Sequence, residues 1–531
     1  MIVNCGQSAA LHNYKYSVTS STLDQLSDEV LTTTERISSQ PENPFSKLIP
    51  DQNIALIPSF TLESGVVLRN VPVAYKTFGT LSSNRDNAMV ICHALTGSAD
   101  VADWWGPLLG GPGKAFDVSR FFVVCINSLG SPYGSASPVT YKDGNPDYGY
   151  YGPEFPLTTI RDDVNLFKLI LDDLGVRQVA AVIGGSMGGM LVLEFAYFGT
   201  DYVRTIVPIA TSARYSAWGI SWGEAQRQSI YSDPKYNDGY YPFSDPPTTG
   251  LSAARMSALL TYRSRDSFES RFGRNTPDPT RRQNINGARQ PDGHWQIHNH
   301  GNRNASSPRP SRVGSRASTT QNQTSFSSPL VGPETPLEPE STHTPDSLSY
   351  PSSSSTADDP KKRTPTYFSA QSYLRYQGEK FLKRFDANCY ISITRKLDTH
   401  DISRSRCPTT PHYPMPAEQV YHALSQILQP TLILGIQSDG LFTFAEQQEL
   451  ARGIPNGVLR TIDSSEGHDA FLLEFEQVNE HILAFLKEEL PDIMNKTPDE
   501  EVEKVGVEGM MATKTSVFGE AEVEVEDITA W

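Results

Sequence analysis

The sequence predicts an α/β protein whose mostly parallel sheet is flanked by helices. Two observations predict this class. Short, almost wholly apolar runs recur along the chain, as strands buried on both faces require, and stretches of helical periodicity fall between several of them. Because strands and helices alternate, the connections are expected to be crossovers between parallel strands. The predicted strands are residues 88–92, 121–126, 179–183, 205–209 and 431–436.

The remaining elements follow from turn and cap signals. Apolar alternation over 57–80 predicts a hairpin or two successive strands. Thr159 and Asp162 have the spacing of a capping box at the start of a helical pattern, and Gly175 is a typical helix end. Helices are predicted over 159–174, 187–198 and 471–490, the last of them stopped before Pro491.

Composition divides the chain further. Residues 215–273 are polar-helical and stand where a cap over an active site would be inserted. Residues 274–365 are dominated by Ser, Thr, Pro, Asn and Arg, and their few apolar side chains cannot offset the entropy of ordering. The predicted segments are a poorly patterned N-terminal segment 1–45, a first core part 46–214, a helical cap 215–273, a disordered insertion 274–365, a continuation of the cap returning to the core 366–425, a last core part 426–495 and an acidic tail 496–531.

Composition also argues against several classes of protein. No apolar run approaches the roughly 18–20 residues of a membrane span, and the N-terminus lacks the basic-then-apolar order of a secretory signal. The 5 Cys residues are scattered without paired spacing, which argues against a disulfide framework or a structural zinc site and favours a reducing, cytoplasmic location. The formal net charge of −16 argues against nonspecific nucleic-acid binding.

The strongest functional signal is the segment 184–188, GGSMG. A predicted strand runs directly into this Gly-x-Ser-x-Gly motif, and an apolar helix runs directly out of it. That strand–turn–helix is the setting of the nucleophile elbow of the α/β-hydrolase fold, in which glycines permit the sharp turn and the helix N-terminus favours negative charge. The alternative is a glycine-rich turn that binds a phosphate or nothing. Ser186 is the candidate nucleophile.

A serine nucleophile needs a base that is oriented by an acid, and in this fold the chain order is Ser, then Asp or Glu, then His. His468 lies in the Gly-flanked loop SSEGHDAF after the apolar run 458–462, whereas His481 falls inside a predicted helix. Asp439 lies three residues past the predicted strand 431–436, although Asp-Gly is also ordinary turn chemistry. Because open α/β sheets build their sites at the carboxyl ends of strands, Asp439 and His468 are the candidate acid and base.

An oxyanion hole requires two backbone N–H donors. One is expected from Met187, directly after the nucleophile, and the other from the loop after an earlier strand. Residues 91–97, ICHALTG, are placed for the second donor, and Leu95 is the candidate within them. The alternative is that this segment is only the exit of a strand.

Together these segments closely resemble the homoserine O-acetyltransferase family, which has the α/β-hydrolase fold and makes O-acetylhomoserine for methionine synthesis. The resemblance covers residues 45–272 and 367–490. The matching segments are VPVAYKTFGTL, CHALTGSAD, FFVVCINSLGSPYGSASP, IGGSMGGM, GEAQRQSIYSDPKY, GLSAARMSALLTYRS, FESRFGR, SDGLFTF and EGHDAFLLE. The insertion 274–365 departs from the pattern of most members and resembles the variable loops of fungal ones, but it leaves every motif intact.

The resemblance places the family's nucleophile, acid and base on Ser186, Asp439 and His468. It also implies two substrate contacts, in which Arg255 of GLSAARM would bind the carboxylate of an amino acid and Asp469 would accept from its ammonium group. The structural alternatives are a salt bridge within the cap for Arg255 and a helix N-cap for Asp469.

The implied reaction is ping-pong acyl transfer from acetyl-CoA, as co-substrate, to the hydroxyl of L-homoserine, with no metal or prosthetic group. Members of the family often form homodimers. Four alternatives stay open: acetyl transfer to serine or to deacetylcephalosporin C, use of succinyl-CoA as donor, a hydrolase with the same three residues, and a non-catalytic scaffold that recruits partners through the insertion 274–365.

Overall fold

The computed structural model describes residues 34–277, 293–302, 365–407 and 416–497. The predictions for most of the N-terminal segment, most of the insertion 274–365 and nearly all of the acidic tail lie outside the described residues. The strands are β1 Glu35–Ile37, β2 Asn53–Thr61, β3 Val67–Phe78, β4 Ala88–Cys92, β5 Leu109–Gly110, β6 Phe116–Asp117, β7 Phe122–Ile126, β8 Val179–Gly185, β9 Val203–Ile209, β10 Thr431–Ile436 and β11 Gly457–Ile462. The helices are α1 Val101–Trp105, α2 Ile160–Asp173, α3 Met187–Ala196, α4 Ala217–Tyr231, α5 Thr248–Tyr262, α6 Arg265–Arg271, α7 His294–His298, α8 Ser369–Leu382, α9 Ala387–Asp398, α10 Pro416–Leu424, α11 Phe444–Gly453, α12 Ala470–Leu473, α13 Phe475–Glu489 and α14 Pro491–Met494.

Nine of these strands form one sheet in the spatial order β1-β2-β3-β7-β4-β8-β9-β10-β11. The strands β1, β2 and β3 are antiparallel to their neighbours at one edge, whereas β7, β4, β8, β9, β10 and β11 are parallel. The chain passes from β4 outward to β7 and then returns past β4 to β8. The strand order therefore reverses beside β4, where open α/β sheets form their sites. The predicted, mostly parallel sheet is confirmed.

Both faces of the parallel strands are buried by helices. In β4, Val90 and Cys92 belong to the core cluster that includes α2 and α3, whereas Met89 and Ile91 belong to the cluster on the other face, which includes α13. Because side chains alternate across a pleated strand, each residue of β4 meets one of two apolar layers. This is why the strand reads as an uninterrupted apolar run.

Helix α2 begins and ends at the predicted signals. Thr159 Oγ1 accepts from the Asp162 N–H at 3.1 Å, and Asp162 Oδ2 accepts from the Thr159 N–H at 2.9 Å, which completes the capping box. Gly175 follows the helix with φ +81°, and its N–H donates to the Asp172 carbonyl at 2.9 Å.

A group of helices separates β9 from β10. Within it, α4 packs against both α5 and α9.

The described chain divides into two compact units. The first holds residues 34–273, 373–407 and 416–497, and the second holds 274–277, 293–302 and 365–372. Every side chain discussed below belongs to the first unit. The boundaries of the cap and core segments stay predictions.

The predicted terminal helix 471–490 is interrupted. Glu474 separates α12 from α13 with φ −88° and ψ 54°, outside the helical region. The Phe471 carbonyl accepts from Trp105 Nε1 at 3.0 Å, so it is bound from outside the helix at the point where the helical ladder breaks. Pro491 ends α13 as predicted, because it lacks an N–H, and it opens α14 at the first position, where proline is favoured.

Strand β1 lies in the segment predicted to be poorly patterned. It has 3 residues at the sheet edge, too few for alternation to be recognised in a sequence.

The thiols of Cys92, Cys125 and Cys389 are buried and that of Cys407 is half-buried, and none of these four forms a disulfide. None of the described helices combines the length and hydrophobicity that a membrane crossing needs.

Candidate active site

Four loops that leave the carboxyl ends of parallel strands carry the predicted residues. Leu95 follows β4, Ser186 follows β8, Asp439 follows β10 and His468 follows β11. Leu95, Ser186 and His468 line one pocket of about 600 Å³, a volume that includes space open to solvent. Side chains of α4, α5 and α9 complete its wall. The residues predicted from separate motifs therefore meet at one edge of the sheet.

Ser186 occupies the strained conformation of a nucleophile elbow. Its φ of 60° and ψ of −124° lie in a region that residues with a side chain rarely adopt. The turn is tight enough to require glycine on both sides. A Cβ on Gly184 would lie 2.7 Å from the carbonyl carbon of Gly188, and one on Gly188 would lie 2.1 Å from the Cys92 oxygen. The packing thus gives the physical reason for the glycines of the motif.

Asp439 fills both roles that the sequence left open, as the residue of an Asp-Gly turn and as the partner of His468. Its Oδ1 accepts from the N–H groups of Leu441 at 2.8 Å and Phe442 at 2.9 Å, which is the turn chemistry. Its Oδ2 lies 2.7 Å from His468 Nδ1. A carboxylate only accepts hydrogen bonds, so Nδ1 carries the proton and Nε2 of the neutral ring keeps its lone pair. His468 therefore has the tautomer of a general base.

Aromatic rings surround the His468 imidazole. Its centroid lies 5.2 Å from that of Phe442, 5.5 Å from that of Phe471 and 6.3 Å from that of Tyr262. The side chain of His468 is 3% exposed, and Asp439 is buried beside it. This packing limits rotation of the ring and keeps water from the Asp439–His468 bond.

Of the two candidate oxyanion donors, Met187 directly follows Ser186 and Leu95 lines the same pocket as Ser186. Met187 is the first residue of α3, whose first-turn N–H groups have no partner four residues earlier. The loop of Leu95 is held by His93, whose Nε2 accepts from the Ser128 N–H at 3.0 Å, so that Nδ1 donates to the Ala94 carbonyl at 2.8 Å. Complete burial lowers the pKa of His93 to about 4 and keeps it neutral. The loop is therefore fixed before substrate arrives.

The two predicted substrate contacts differ in position. Asp469 lines the pocket, directly after His468. Asp469 stands at the N-cap position of α12, but its side chain forms no cap hydrogen bond there. Arg255 is buried in α5 and is not among the lining residues; its guanidinium carbon lies 4.9 Å from the Phe381 ring centroid and 5.5 Å from that of Tyr262. Arg255 thus lies behind Tyr262, which does line the pocket.

Sequence reasoning missed the charged neighbours of Asp469. Arg263 Nε lies 3.0 Å from Asp469 Oδ2, and Arg263 Nη1 lies 2.6 Å from Glu466 Oε2. Both Arg263 and Glu466 lie inside segments that carry the family resemblance, GLSAARMSALLTYRS and EGHDAFLLE. An acid two residues before the candidate base was the available signal. Within the described part of the chain, no group of three or more His, Cys, Asp or Glu residues is arranged to hold a metal ion.

Fold comparisons agree with this geometry. The profile of the alpha/beta hydrolase fold family matches residues 87–475. The crystal structure of esterase E22 superposes with a TM-score of 0.59 at 21% identity, covering 82% of this chain and 99% of that one. The homoserine O-acetyltransferase from Bacillus anthracis gives 0.59 at 17% identity, covering 85% and 98%. Identities this low establish the fold alone, and fold and site together define an α/β-hydrolase-fold protein.

Comparison with curated relatives identifies the family to which the chain belongs within this fold. A homoserine O-acetyltransferase of Emericella nidulans is 65% identical over 506 residues, covering 94% of this chain and 98% of the relative. Enzymes of the same name from Schizosaccharomyces pombe and Saccharomyces cerevisiae are 55% and 51% identical, each covering 96% of the relative and 93% and 92% of this chain. The chain belongs to the homoserine O-acetyltransferase family, as the sequence motifs predicted.

Proposed function

We propose that the protein transfers the acetyl group of acetyl-CoA to the hydroxyl of L-homoserine through an acetyl ester on Ser186. Acetyl transfer to homoserine is the activity of the family. The observation that supports the mechanism is that His468, which pairs with Asp439, lines the same pocket as a serine on a nucleophile elbow.

In the first half-reaction, His468 Nε2 removes the proton of Ser186 as its Oγ attacks the thioester carbonyl of acetyl-CoA. The oxyanion of the tetrahedral intermediate accepts from the N–H groups of Met187 and Leu95. Collapse of the intermediate breaks the carbon–sulfur bond, and the CoA thiol leaves with the proton from His468. Asp439 stays ionised and stabilises the imidazolium that forms in between.

The second half-reaction uses the same groups in reverse. His468 Nε2 removes the proton of the homoserine hydroxyl, whose oxygen attacks the acetyl ester. Ser186 leaves, recovers the proton from His468, and O-acetylhomoserine departs. Asp469 accepts from the ammonium of the acceptor, and Arg255 provides positive charge for its carboxylate. The product serves methionine synthesis, and the homodimer and cytoplasmic location expected for the family stay predictions.

The test is acetylation without an acceptor. Incubation with acetyl-CoA alone should add one acetyl group, 42 Da in mass by simple composition, to the peptide that contains Ser186. Ser186→Ala should abolish this label, whereas Ser221→Ala, at an exposed serine of α4, should leave it unchanged. Labelling of a cysteine, or no label in a single turnover, would contradict the mechanism.

The acceptor is tested with the same acetyl-enzyme. Homoserine should discharge the ester faster than water, serine or deacetylcephalosporin C, and succinyl-CoA should load the enzyme poorly. Faster discharge by water would instead identify a hydrolase. Retention of methionine prototrophy by a Ser186→Ala strain would support the scaffold alternative.

A further inference from the structure

Four charged side chains join the loop that carries His468 to the segment that follows α5. We call Arg263, Arg271, Glu466 and Asp469 the ionic clamp. Arg263 Nη1 lies 2.6 Å from Glu466 Oε2, Arg271 Nη2 lies 2.8 Å from Glu466 Oε1, and Arg263 Nε lies 3.0 Å from Asp469 Oδ2. A single guanidinium, that of Arg263, therefore bridges the two carboxylates.

The clamp is balanced in charge, and its inner pair, Arg263 and Asp469, is buried. The side chains of Arg263 and Asp469 are 5% and 3% exposed, and two cations face two anions. Arg263 donates a hydrogen bond to Glu466, and its contact with Asp469 is an ion pair. Buried charges need such partners, because removing one partner leaves the other charge uncompensated. Although burial raises the pKa of Glu466, hydrogen bonds from Arg271 and Ser267 outweigh it and hold the pKa below its ordinary value. Glu466 therefore remains ionised at neutral pH and keeps Arg263 in place.

The backbone adds a second constraint at the same place. Gly467 has φ +79°, and a Cβ there would lie 2.4 Å from the Ser264 nitrogen. The Ser264 N–H also points to the Glu466 carbonyl, at 3.4 Å. The loop of the base and the segment after α5 therefore touch through backbone atoms immediately beside the charged groups. Such close contact fixes the direction in which Asp469 enters the pocket.

We propose that Arg263 is a positioning residue that orients the Asp469 carboxylate and thereby makes the enzyme selective for acceptors that carry an ammonium group. The inference rests on the proposed function, in which Asp469 binds the ammonium of homoserine. Arg263 is the C-cap residue of α5, one residue after Tyr262, and Tyr262 and Asp469 both line the pocket. The geometry requires arginine, because a lysine is a point charge and cannot span Glu466 and Asp469 with a rigid fork.

The experiment compares two acceptors that differ only in the ammonium group. Steady-state kcat/KM is measured for homoserine and for 4-hydroxybutanoate, which has the same carbon chain and hydroxyl, in the wild type, Arg263→Gln and Arg263→Lys. Formation of the acetyl-enzyme from acetyl-CoA is measured separately. In Arg263→Gln, kcat/KM for homoserine should fall about tenfold or more, because Asp469 loses the cation beside it, while the other two rates change less than about threefold. Arg263→Lys should recover only part of the loss.

A matched control distinguishes positioning from general damage. Arg161 also lies beside a buried carboxylate, with its Nε 3.3 Å from Glu194 Oε2, and it lies outside the pocket. Arg161→Gln should leave the ratio of the two acceptors unchanged. If Arg263→Gln does not fold, Glu466→Gln breaks the clamp from its half-buried side and should lower the same ratio about threefold or more.

The outcomes separate this inference from the proposed function. Equal losses for both acceptors in Arg263→Gln and in Glu466→Gln would show that the clamp is only structural and would overturn the inference. A wild-type preference for homoserine that both variants retain would also overturn it, with the proposed function intact. A wild type that acetylates both acceptors equally would contradict the proposed role of Asp469, and the inference with it.

Discussion

At the scale of single residues, Asp439 shows how one carboxylate serves structure and chemistry together. Its Oδ1 holds the turn through the N–H groups of Leu441 and Phe442, which leaves the plane of the carboxylate no freedom to rotate. Its Oδ2 is thereby presented to His468 Nδ1. The same Asp-Gly turn that looks ordinary in the sequence is what orients the acid.

Asp439→Asn tests this arrangement. The amide oxygen can still accept from Leu441 and Phe442, so the free energy of unfolding should change by less than about 1 kcal/mol. The amide nitrogen would donate to His468 Nδ1 and move the imidazole proton to Nε2, the wrong tautomer for a base. Both half-reactions should slow by about 10⁴-fold, the loss known for the equivalent change in a serine triad. A variant that folds normally and keeps more than a tenth of the activity would contradict the tautomer argument.

Some residues of the site could be predicted from the sequence, and others could not. Ser186, Asp439 and His468 could be found because each follows a strand and a recognisable turn, so local sequence places them at the same sheet edge. The ion pair between Arg263 and Asp469 joins residues that are 206 positions apart in the sequence, and no local pattern encodes it. The placement of Arg255 behind Tyr262 likewise depends on how α5 packs.

At the scale of elements, a buried ion pair links α9 to α2. Lys396 of α9 pairs with Asp163 of α2, and both side chains are 0% exposed. Lys396 Nζ also donates to the Leu129 carbonyl at 2.8 Å, while Asp163 Oδ1 accepts from the Leu129 N–H at 2.9 Å. The pair therefore holds both polar backbone groups of one residue in the loop after β7, and connects that loop to a helix of the pocket wall.

Lys396→Met should destabilise the protein strongly. It leaves the Asp163 carboxylate buried without its cation, which costs about 3–5 kcal/mol in other proteins. Urea unfolding measures the change, and the double variant Lys396→Met/Asp163→Leu should recover part of it because it removes the uncompensated charge. Lys168→Met is the matched control: its pair with Asp172 is exposed on α2 and is worth about 0.5 kcal/mol or less. Equal effects of the two lysine variants would contradict the argument.

The elements themselves were predictable to different degrees. Strands such as β4 and β8 could be recognised because burial on both faces makes them continuous apolar runs. The break at Glu474 could not, because the hydrophobic periodicity continues through α12 into α13. The hydrogen bond from Trp105 to the Phe471 carbonyl, a contact across 366 positions of the chain, lies at the break, and local sequence does not encode it.

At the scale of the whole molecule, buried titratable groups set the response to acid. Hydrogen bonds and charges from Arg406 and Arg161 outweigh burial and hold the pKa of Glu194 below its ordinary 4.5. The stability that Glu194 contributes is therefore present at neutral pH and is lost only as the pH falls below about 4.5. Buried histidines affect the stability of the protein at a higher pH than Glu194 does. Burial lowers the pKa of both His93 and His400 below the ordinary 6.5, that of His93 to about 4.

The contribution of the buried histidines to the free energy of unfolding should therefore decrease as the pH is lowered from about 6.5 to 5. In this window the unfolded chain binds a proton at His93 that the folded protein does not, which costs about 1.4 kcal/mol per pH unit. The lowered pKa of His400 acts in the same direction. Urea unfolding at several pH values measures the slope. His93→Gln should flatten it by about one proton and His400→Gln should also reduce it, whereas His422→Gln, at an exposed position of α10, should leave it unchanged. A slope that is as steep in the His93 variant as in the wild type would mean that this imidazole is protonated in the folded protein, which is incompatible with its acceptance of the Ser128 N–H bond.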